Sequence, residues 1–230
     1  MCDENAIKIA IAEFPLPDTD ITYTYTEAED KDWNEEWEKN FFQPIIIGNR
    51  CVIHSTFHQD VPKAEYDIVI NPQMAFGTGH HETTSLIIGE LLDNNLQGKS
   101  LLDMGCGSGI LSVAGLLLGA GSAVGVDIDA LAVKTAVANA EINHVGDKFT
   151  GICGNLADKV TGTFDVVVAN IVADVVILLT KDAPRFMKPD TVYIMSGIID
   201  TREDDVLACL ADKFEIIDRK EEKGWAALAA

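Results

Sequence analysis

A loop of three alternating glycines is the first feature of this sequence that could do chemistry. Around it the chain reads LLDMGCGSGIL: an apolar run, Asp103, then Gly105, Gly107 and Gly109, and a second apolar run. Glycine is needed where the backbone adopts a positive φ or approaches a ligand closely. The pattern predicts a strand, a tight loop and a helix whose free N–H groups and positive dipole end point at a ligand. We therefore predict a nucleotide-type cradle with Gly105 and Gly107 at the ligand.

Two acidic residues distinguish this cradle from a dinucleotide site. The dinucleotide fingerprint GxGxxG has its third glycine where this chain has Ile110. Asp103 could face a cationic group such as an α-ammonium, which NAD lacks. Asp127 ends the next predicted strand, 22 residues after Gly105, where a carboxylate can accept both hydroxyls of a ribose. Together, DxGxGxG and VGVDID resemble the class I S-adenosylmethionine methyltransferases, and this resemblance is favoured over a dehydrogenase.

Further polar and aromatic residues are predicted at the same site. Asn170 ends the buried-type strand FDVVVAN, and ligands of open parallel sheets bind at the carboxyl ends of strands. The segment 71–85 would lie over the mouth of the cofactor site, with Phe76 available for stacking and Thr84 near a helix start. His80 and His81 could supply a base, but a solvated or structural role is favoured for adjacent histidines in a loop.

The remaining candidates for metal or redox chemistry are weak. His54 and His58 are four residues apart in a predicted strand, and no third ligand accompanies them, so we predict no metal site. The five cysteines show no CxxC spacing, which is typical of reduced thiols in a cytosolic protein. Cys106 lies in the glycine loop, where a role as a small filler is favoured over a reactive one.

Length and charge limit the class of protein. A chain of 230 residues can form one sizeable α/β domain plus an appendage. The formal charge of −20 argues against nucleic-acid binding and suits a basic partner, although solubility alone is a slightly favoured explanation. No apolar run reaches the roughly 20 residues that span a bilayer, and no signal peptide opens the chain. We expect a cytoplasmic protein without a membrane partner, and a monomer is favoured while the oligomeric state stays open.

The elements that must position these residues alternate along the chain. Apolar patterns predict helices over residues 130–142, 172–183 and 201–212, and strands over residues 149–153, 164–170, 191–196, 214–219 and 225–229. The last two strands have only a short connection, so they should pair antiparallel. The expected fold is α/β, a Rossmann-like seven-stranded sheet with an antiparallel last strand.

The N-terminal part differs from the rest in composition. Residues 1–40 hold twelve acidic side chains against three lysines. Helix Ala6–Glu13 and strand Ile21–Thr26 are predicted there, too little for a stable domain. Trp33, Trp37 and Phe41 share one helical face, for which packing onto the catalytic domain is favoured over a peptide site.

The domain organisation follows from these differences. We predict a small partial α+β N-terminal domain over residues 1–29, a linker helix with strands over 30–60 and, from the class I resemblance, a methyltransferase domain over 61–230.

Four motifs in register resemble one family within that class. FGTGHHETTS, DMGCGSGIL, GVDID and VVANIVA are similar to the PrmA family, whose members methylate amino groups of large-subunit ribosomal protein eleven. The resemblance covers about residues 20–230 and implies that residues 1–29 are a shortened N-terminal domain for substrate recognition. It implies S-adenosylmethionine as cofactor and a basic ribosomal protein as substrate. It places cofactor contacts at the following residues: Thr84, Gly105, Asp127 and Asn170, with Phe76, Gly77 and Gly79 in the matching loop.

The expected reaction is in-line attack of a neutral amine on the sulfonium methyl, driven by alignment more than by a dedicated base. Asn170 opens ANIVA, not the NPP[YF] that clamps planar nitrogens, which favours an aliphatic amine and makes Asn170 the candidate catalytic residue. Three alternatives stay open: a class I methyltransferase for another protein or a small molecule, a cofactor-binding module without activity, and, as a distant third, a nucleotide-dependent oxidoreductase.

Overall fold

A seven-stranded sheet organises the part of the chain that the structure describes. The computed structural model describes residues 43–71 and 82–230. The predictions made for the helices and strand of residues 1–42, and for Phe76, Gly77, Gly79, His80 and His81, lie outside the described residues.

The strands and helices have the following bounds, in chain order. They are β1 (Ile45–Ile47), β2 (Cys51–His54), β3 (Tyr66–Val69), α1 (Glu82–Asp93), β4 (Ser100–Met104), α2 (Ile110–Leu117), β5 (Ser122–Asp127), α3 (Ala130–Ile142), β6 (Phe149–Cys153), β7 (Phe164–Asn170), α4 (Ala173–Asp182), β8 (Met187–Ile199), α5 (Glu203–Leu210), β9 (Asp218–Glu222) and β10 (Trp225–Ala229). Short 3₁₀ turns at Gly146–Lys148, Ala183–Phe186 and Asp200–Arg202 complete the set.

The strand order of the main sheet is β6-β5-β4-β7-β8-β10-β9. Strands β4 to β8 are mutually parallel, whereas β10 is antiparallel to both β8 and β9. The predicted seven-stranded sheet with an antiparallel end is confirmed. The order reverses at β4, because β5 and β6 follow on one side of it and β7 lies on the other. In open parallel sheets the ligand crevice opens at such a reversal, outside the carboxyl ends of the strands.

Two apolar layers cover the sheet. Neighbouring residues of a strand point to opposite faces, so Leu101 packs with α1, α2, α3 and the strands β1 to β3, while Leu102 packs with α4 and α5. The strands of the sheet centre are apolar on both faces, as expected for parallel strands covered on both sides. None of the helices within the described ranges is long and apolar enough to cross a bilayer.

The penultimate strand lies further along the chain than predicted. The prediction of a strand over residues 214–219 is wrong by about four residues, because β9 spans Asp218–Glu222 and consists of charged residues only. Its hairpin turn is Lys223-Gly224, both at positive φ (48° and 82°), as a two-residue turn between twisted strands requires. A charged strand suits a sheet edge, where one side has no partner strand and side chains face water.

A small separate sheet has the order β1-β2-β3. Strands β1 and β2 are antiparallel, and β2 and β3 are parallel. Phe42–Ala230 form one compact unit. The domain limits at residues 29 and 60 stay predictions, and the second falls between two strands that pair in this sheet.

Candidate cofactor and active site

The glycine loop connects β4 to α2 in a conformation that side chains would obstruct. Gly105, Gly107 and Gly109 all have positive φ, at 77°, 52° and 80°. A Cβ at Gly105 would lie 2.7 Å from Ile171 Cγ2, and one at Gly109 would lie 2.7 Å from Ala136 Cβ. The glycines therefore let the loop approach the end of β7 on one side and α3 on the other. The N–H groups of Gly105 and Cys106 both donate to the Val126 carbonyl, which ties the loop to β5.

Asp127 ends β5 with its carboxylate turned toward this loop. Oδ2 accepts a hydrogen bond from Gly107 N at 2.9 Å, and Oδ1 accepts one from Asp129 N at 2.9 Å. A carboxylate offers about four lone-pair sites, so acceptor capacity is left for two ribose hydroxyls. The geometry fits the nucleoside part of the predicted cofactor.

Sequence reasoning missed Ile128, the residue after this acid. Its side chain is 74% exposed, next to a carboxylate that faces the loop. An exposed apolar side chain beside this carboxylate makes Ile128 a candidate contact for an aromatic ring. An apolar residue between two aspartates at a strand end was the pattern that could have indicated it.

Asp103 lies beneath the loop. Its side chain is fully buried, and Oδ2 accepts hydrogen bonds from Ser112 N at 3.1 Å and Ser112 Oγ at 2.7 Å. Oδ1 is buried without a hydrogen-bond partner among the described residues. Burial raises the pKa of Asp103 to about 7, against the lowering effect of the Ser112 bonds, and the negative charge of Asp127 adds to the rise. An unpaired buried carboxylate oxygen suits a nearby cation. The contact between Asp103 and the α-ammonium of the cofactor stays a prediction.

Asn170 and Thr84 come together although 86 residues separate them. Asn170 Nδ2 donates to Thr84 Oγ1 at 3.2 Å, which links the end of β7 to the first turn of α1. Thr84 is buried, and Asn170 is half-buried. Because Ile171 lies against Gly105, the Asn170 loop and the glycine loop are neighbours.

Gly197, which sequence reasoning also missed, supports the Asn170 loop from β8. Ile171 N donates to Ser196 O at 3.1 Å. Gly197 has φ 82°, and a Cβ there would overlap the Ile171 carbonyl. The Ser-Gly pair at the end of an apolar strand was the available pattern.

His54 and His58 take part in hydrogen bonds within the protein. His54 Nε2 lies 2.7 Å from Asp67 Oδ1, and Ser55 N donates to His58 Nδ1 at 3.0 Å. The described ranges contain no group of three or more His, Cys, Asp or Glu side chains that could hold a metal ion. Cys106 is buried, and burial raises the pKa of its thiol, which suits a packing role.

A sheet with this strand order, a glycine loop after the strand where the order reverses and an acid at the end of the next strand define a class I S-adenosylmethionine-dependent methyltransferase. The family model for ribosomal protein L11 methyltransferase (PrmA) matches residues 2–230. The chain therefore belongs to the PrmA family, as the motifs predicted.

Comparisons with individual proteins support membership of this family and this fold. A ribosomal protein L11 methyltransferase of Bacteroides thetaiotaomicron is 56% identical over 234 residues, which cover 99% of this chain and 82% of that protein. The crystal structure of ribosomal protein L11 methylase from Lactobacillus delbrueckii subsp. bulgaricus has a TM-score of 0.76 and 29% identity, covering 82% of this chain and 97% of that chain. An RNA methyltransferase from Salinibacter ruber in complex with S-adenosyl-L-homocysteine shares the fold, with a TM-score of 0.52 and 18% identity over 63% of this chain and 88% of that chain.

Proposed function

We propose that this chain transfers the methyl group of S-adenosylmethionine to amino groups of ribosomal protein L11. The observation that carries the proposal is the convergence of three strand ends, where Asp127 faces the glycine loop and Asn170 lies beside it through Ile171. Membership of the PrmA family supports the protein substrate.

The cofactor would be held by residues at the ends of β4 and β5. Asp127 would accept the ribose hydroxyls, Ile128 would cover one face of the adenine, and Asp103 with Gly105 and Gly107 would face the amino-acid end. When bound, the cofactor supplies a methyl group on a sulfonium, which is electrophilic without further activation. The residues named here bind and orient, so that the methyl group is presented in line with an incoming nitrogen.

Asn170 would orient the substrate amine. Its Nδ2 is engaged with Thr84 Oγ1, so Oδ1 is the atom left to accept a hydrogen bond from the amine. Ile171 and Val172 follow it, and Val172 is 64% exposed, an apolar surface suited to the methylene chain of a lysine. An amine that enters an apolar site next to a positive charge has a lowered pKa, so it loses its proton without a dedicated base.

The partners follow from charge. The net charge of −20 favours a basic ribosomal protein and disfavours direct binding of nucleic acid. We propose a cytoplasmic monomer, since the substrate is a component of the ribosome and no described element requires a second copy.

Transfer can be tested directly. The purified chain is incubated with methyl-labelled S-adenosylmethionine and either L11, the other ribosomal proteins or a metabolite pool. Transferred label is measured in each reaction, and the protein products are analysed by intact-protein mass spectrometry. Added mass on L11 in steps of one methyl group is the expected result. Label on another protein or on a metabolite, with none on L11, would show that the substrate is not L11. Cofactor binding detected by calorimetry without any transfer would show that the chain is a binding module without activity.

Replacing Asn170 by alanine tests its role. We expect kcat to fall about 100-fold, as a misaligned nucleophile predicts, while the Kd for S-adenosylmethionine changes less than about threefold. Thr84→Val, which removes only the hydroxyl that orients the amide, should lower kcat by a smaller factor. Equal losses of kcat and of cofactor affinity in Asn170→Ala would make Asn170 a contact of the cofactor alone.

A further inference from the structure

A buried asparagine on α3 is hydrogen-bonded to two segments that are distant in the sequence. Asn139 Nδ2 donates to the Ser108 carbonyl at 2.8 Å, and Asn139 Oδ1 accepts from Asn71 N at 3.0 Å. Its exposed fraction is 1%. Ser108 belongs to the glycine loop, and Asn71 lies two residues after the end of β3, so one side chain joins the candidate cofactor site to the small sheet.

The Ser108 carbonyl accepts its hydrogen bond from this side chain inside the protein, where both residues are buried. A carbonyl just ahead of a helix commonly accepts from the N–H four residues on, but Ser112 N donates to Asp103 instead. Ser108 is itself fully buried, so water cannot replace Asn139 without opening the loop. A buried carbonyl that loses its donor carries a desolvation cost, and the three positive-φ glycines around it offer many alternative conformations.

The other end of the network reaches β2. Asn71 Oδ1 accepts hydrogen bonds from Ser55 Oγ at 2.6 Å, Thr56 N at 3.2 Å and Thr56 Oγ1 at 3.1 Å. The chain of bonds therefore runs from the end of β2 through Asn71 and Asn139 to the glycine loop. A displacement of the small sheet would act on the loop through these bonds.

We propose that Asn139 is a positioning residue for the cofactor. By holding the Ser108 carbonyl, it keeps the N–H groups of the glycine loop in the orientation that binds S-adenosylmethionine, and it couples that orientation to the small sheet. The inference rests on the proposed function in one respect, that the loop binds this cofactor. Asn139 is buried, and in this role it acts through Ser108.

Asn143, the residue directly after the end of α3, provides the matched control. It is also buried, and its side chain accepts from Val69 N at 2.9 Å and donates to Val69 O at 2.7 Å. Its Nδ2 also donates to the backbone carbonyl of Asn139 at 2.7 Å, but it leaves the Asn139 side chain untouched. No bond joins it to the glycine loop within the described residues. Asn139→Ala removes two side-chain hydrogen bonds and Asn143→Ala removes three, so both should lower the melting temperature.

The test compares cofactor affinity in these two variants. Asn139→Ala should raise the Kd for S-adenosylmethionine, measured by calorimetry, at least tenfold, whereas Asn143→Ala should leave it within about twofold of the original protein. At saturating cofactor, kcat of Asn139→Ala should stay within about threefold, because the loss is one of loop orientation before binding. Equal Kd values for the two variants would overturn the proposal, since a purely structural role predicts no difference between them.

Amide hydrogen exchange in the cofactor-free protein supplies a readout that needs no activity. Asn139→Ala should speed exchange at Gly107, Gly109 and Asn71, whereas Asn143→Ala should speed it at Val69 and leave exchange at the glycine loop unchanged. If Asn139→Ala does not fold, Asn139→Ser, whose shorter side chain cannot span both partners, takes its place in both measurements. Failure of the original protein to bind S-adenosylmethionine would refute the proposed function, whereas unchanged exchange at the glycine loop would refute the positioning role.

Discussion

At the residue scale, the two acids of the site differ because their surroundings differ. Asp127 is half-buried, and each of its carboxylate oxygens accepts a hydrogen bond from a backbone N–H group. Asp103 is fully buried, and among the described residues Ser112 alone donates to it, at one oxygen. Burial disfavours the charged form of a carboxyl, and this is why the pKa of Asp103 rises to about 7. One acid is thus suited to accept hydroxyls, and the other to respond to a nearby cation.

The raised pKa of Asp103 predicts a stability that falls with rising pH. The unfolded carboxyl ionises near pH 4 and the folded one near pH 7, so the folded protein holds one more proton between these values. Stability contributed by the protonated form is therefore complete below about pH 4 and is lost as pH rises to about 7. Relative to Asp103→Asn, the unfolding free energy of the original protein should fall by up to about 4 kcal/mol across this window.

Urea unfolding at a series of pH values measures this difference. Asp212→Asn, at an exposed acid in the turn after α5, is the control and should follow the original protein. A constant difference between the original protein and Asp103→Asn from pH 4 to pH 7.5 would contradict the burial argument.

At the element scale, the charged edge strand β9 is attached to helices on both faces of the sheet. Lys220 Nζ lies 2.9 Å from Glu90 Oε1 and 2.8 Å from Asp93 Oδ2 on α1. Arg219, which points to the opposite face, donates from Nη2 to Glu203 Oε2 on α5 at 2.7 Å. Both Glu90 and Glu203 are buried. Consecutive residues of one strand thereby neutralise two buried carboxylates on opposite sides, which explains why a strand without apolar residues is retained at this position.

Removing the charge of Lys220 should leave the buried carboxylate of Glu90 without its cationic partner. Burial raises the pKa of Glu90, and Lys220 opposes that rise. Lys220→Met should therefore lower the unfolding free energy by about 2 kcal/mol, less than for a fully buried pair because the lysine is partly exposed. Adding Glu90→Gln should recover part of the loss.

Thermal and urea unfolding of these variants provide the measurement. Lys223→Met is the matched control: Lys223 lies in the hairpin turn, is 71% exposed and pairs with Glu82, so its loss should cost less than about 0.5 kcal/mol. The interpretation would be wrong if Lys220→Met and Lys223→Met cost the same, or if Glu90→Gln added to the loss.

At the scale of the whole molecule, charge is the dominant property. The net charge is −20 over 230 residues, and twelve of the acidic side chains lie within residues 1–40. A field of this strength attracts a basic protein before contact and is screened by salt, with a Debye length of about 10 Å at 0.1 M. Charge should therefore act on encounter with a basic protein substrate more than on binding of the cofactor.

Salt should therefore raise the KM for the protein substrate more than the KM for the cofactor. Raising NaCl from 50 to 300 mM should increase KM for the ribosomal protein about tenfold, because charge steering weakens as screening increases. KM for S-adenosylmethionine, measured in the same reactions, is the internal control and should change less than about twofold. A parallel rise in both KM values would indicate that salt acts on the enzyme itself and would contradict electrostatic steering of the protein substrate.

Local pattern in the sequence determined the fold and the outline of the candidate site. Strand and helix periods are properties of neighbouring residues, and a short connection between the last two strands permits only an antiparallel pair. Because strands of a parallel sheet end at one edge, an acid or amide that ends a strand is placed near the glycine loop by topology alone. This is why the positions of Asp127 and Asn170 near the glycine loop could be predicted without coordinates.

Only the tertiary structure decided which polar groups are buried and what they bond. The distances along the chain from Asn139 to Asn71 and Ser108 are too long for any local pattern, and the burial of Asp103 depends on how α2 folds back over β4. The position of β9 was predicted wrongly for the same reason, since its charges are satisfied by Glu90 and Glu203 from distant helices. Burial and hydrogen bonding depend on contacts between remote segments, and these contacts exist only once the chain has folded.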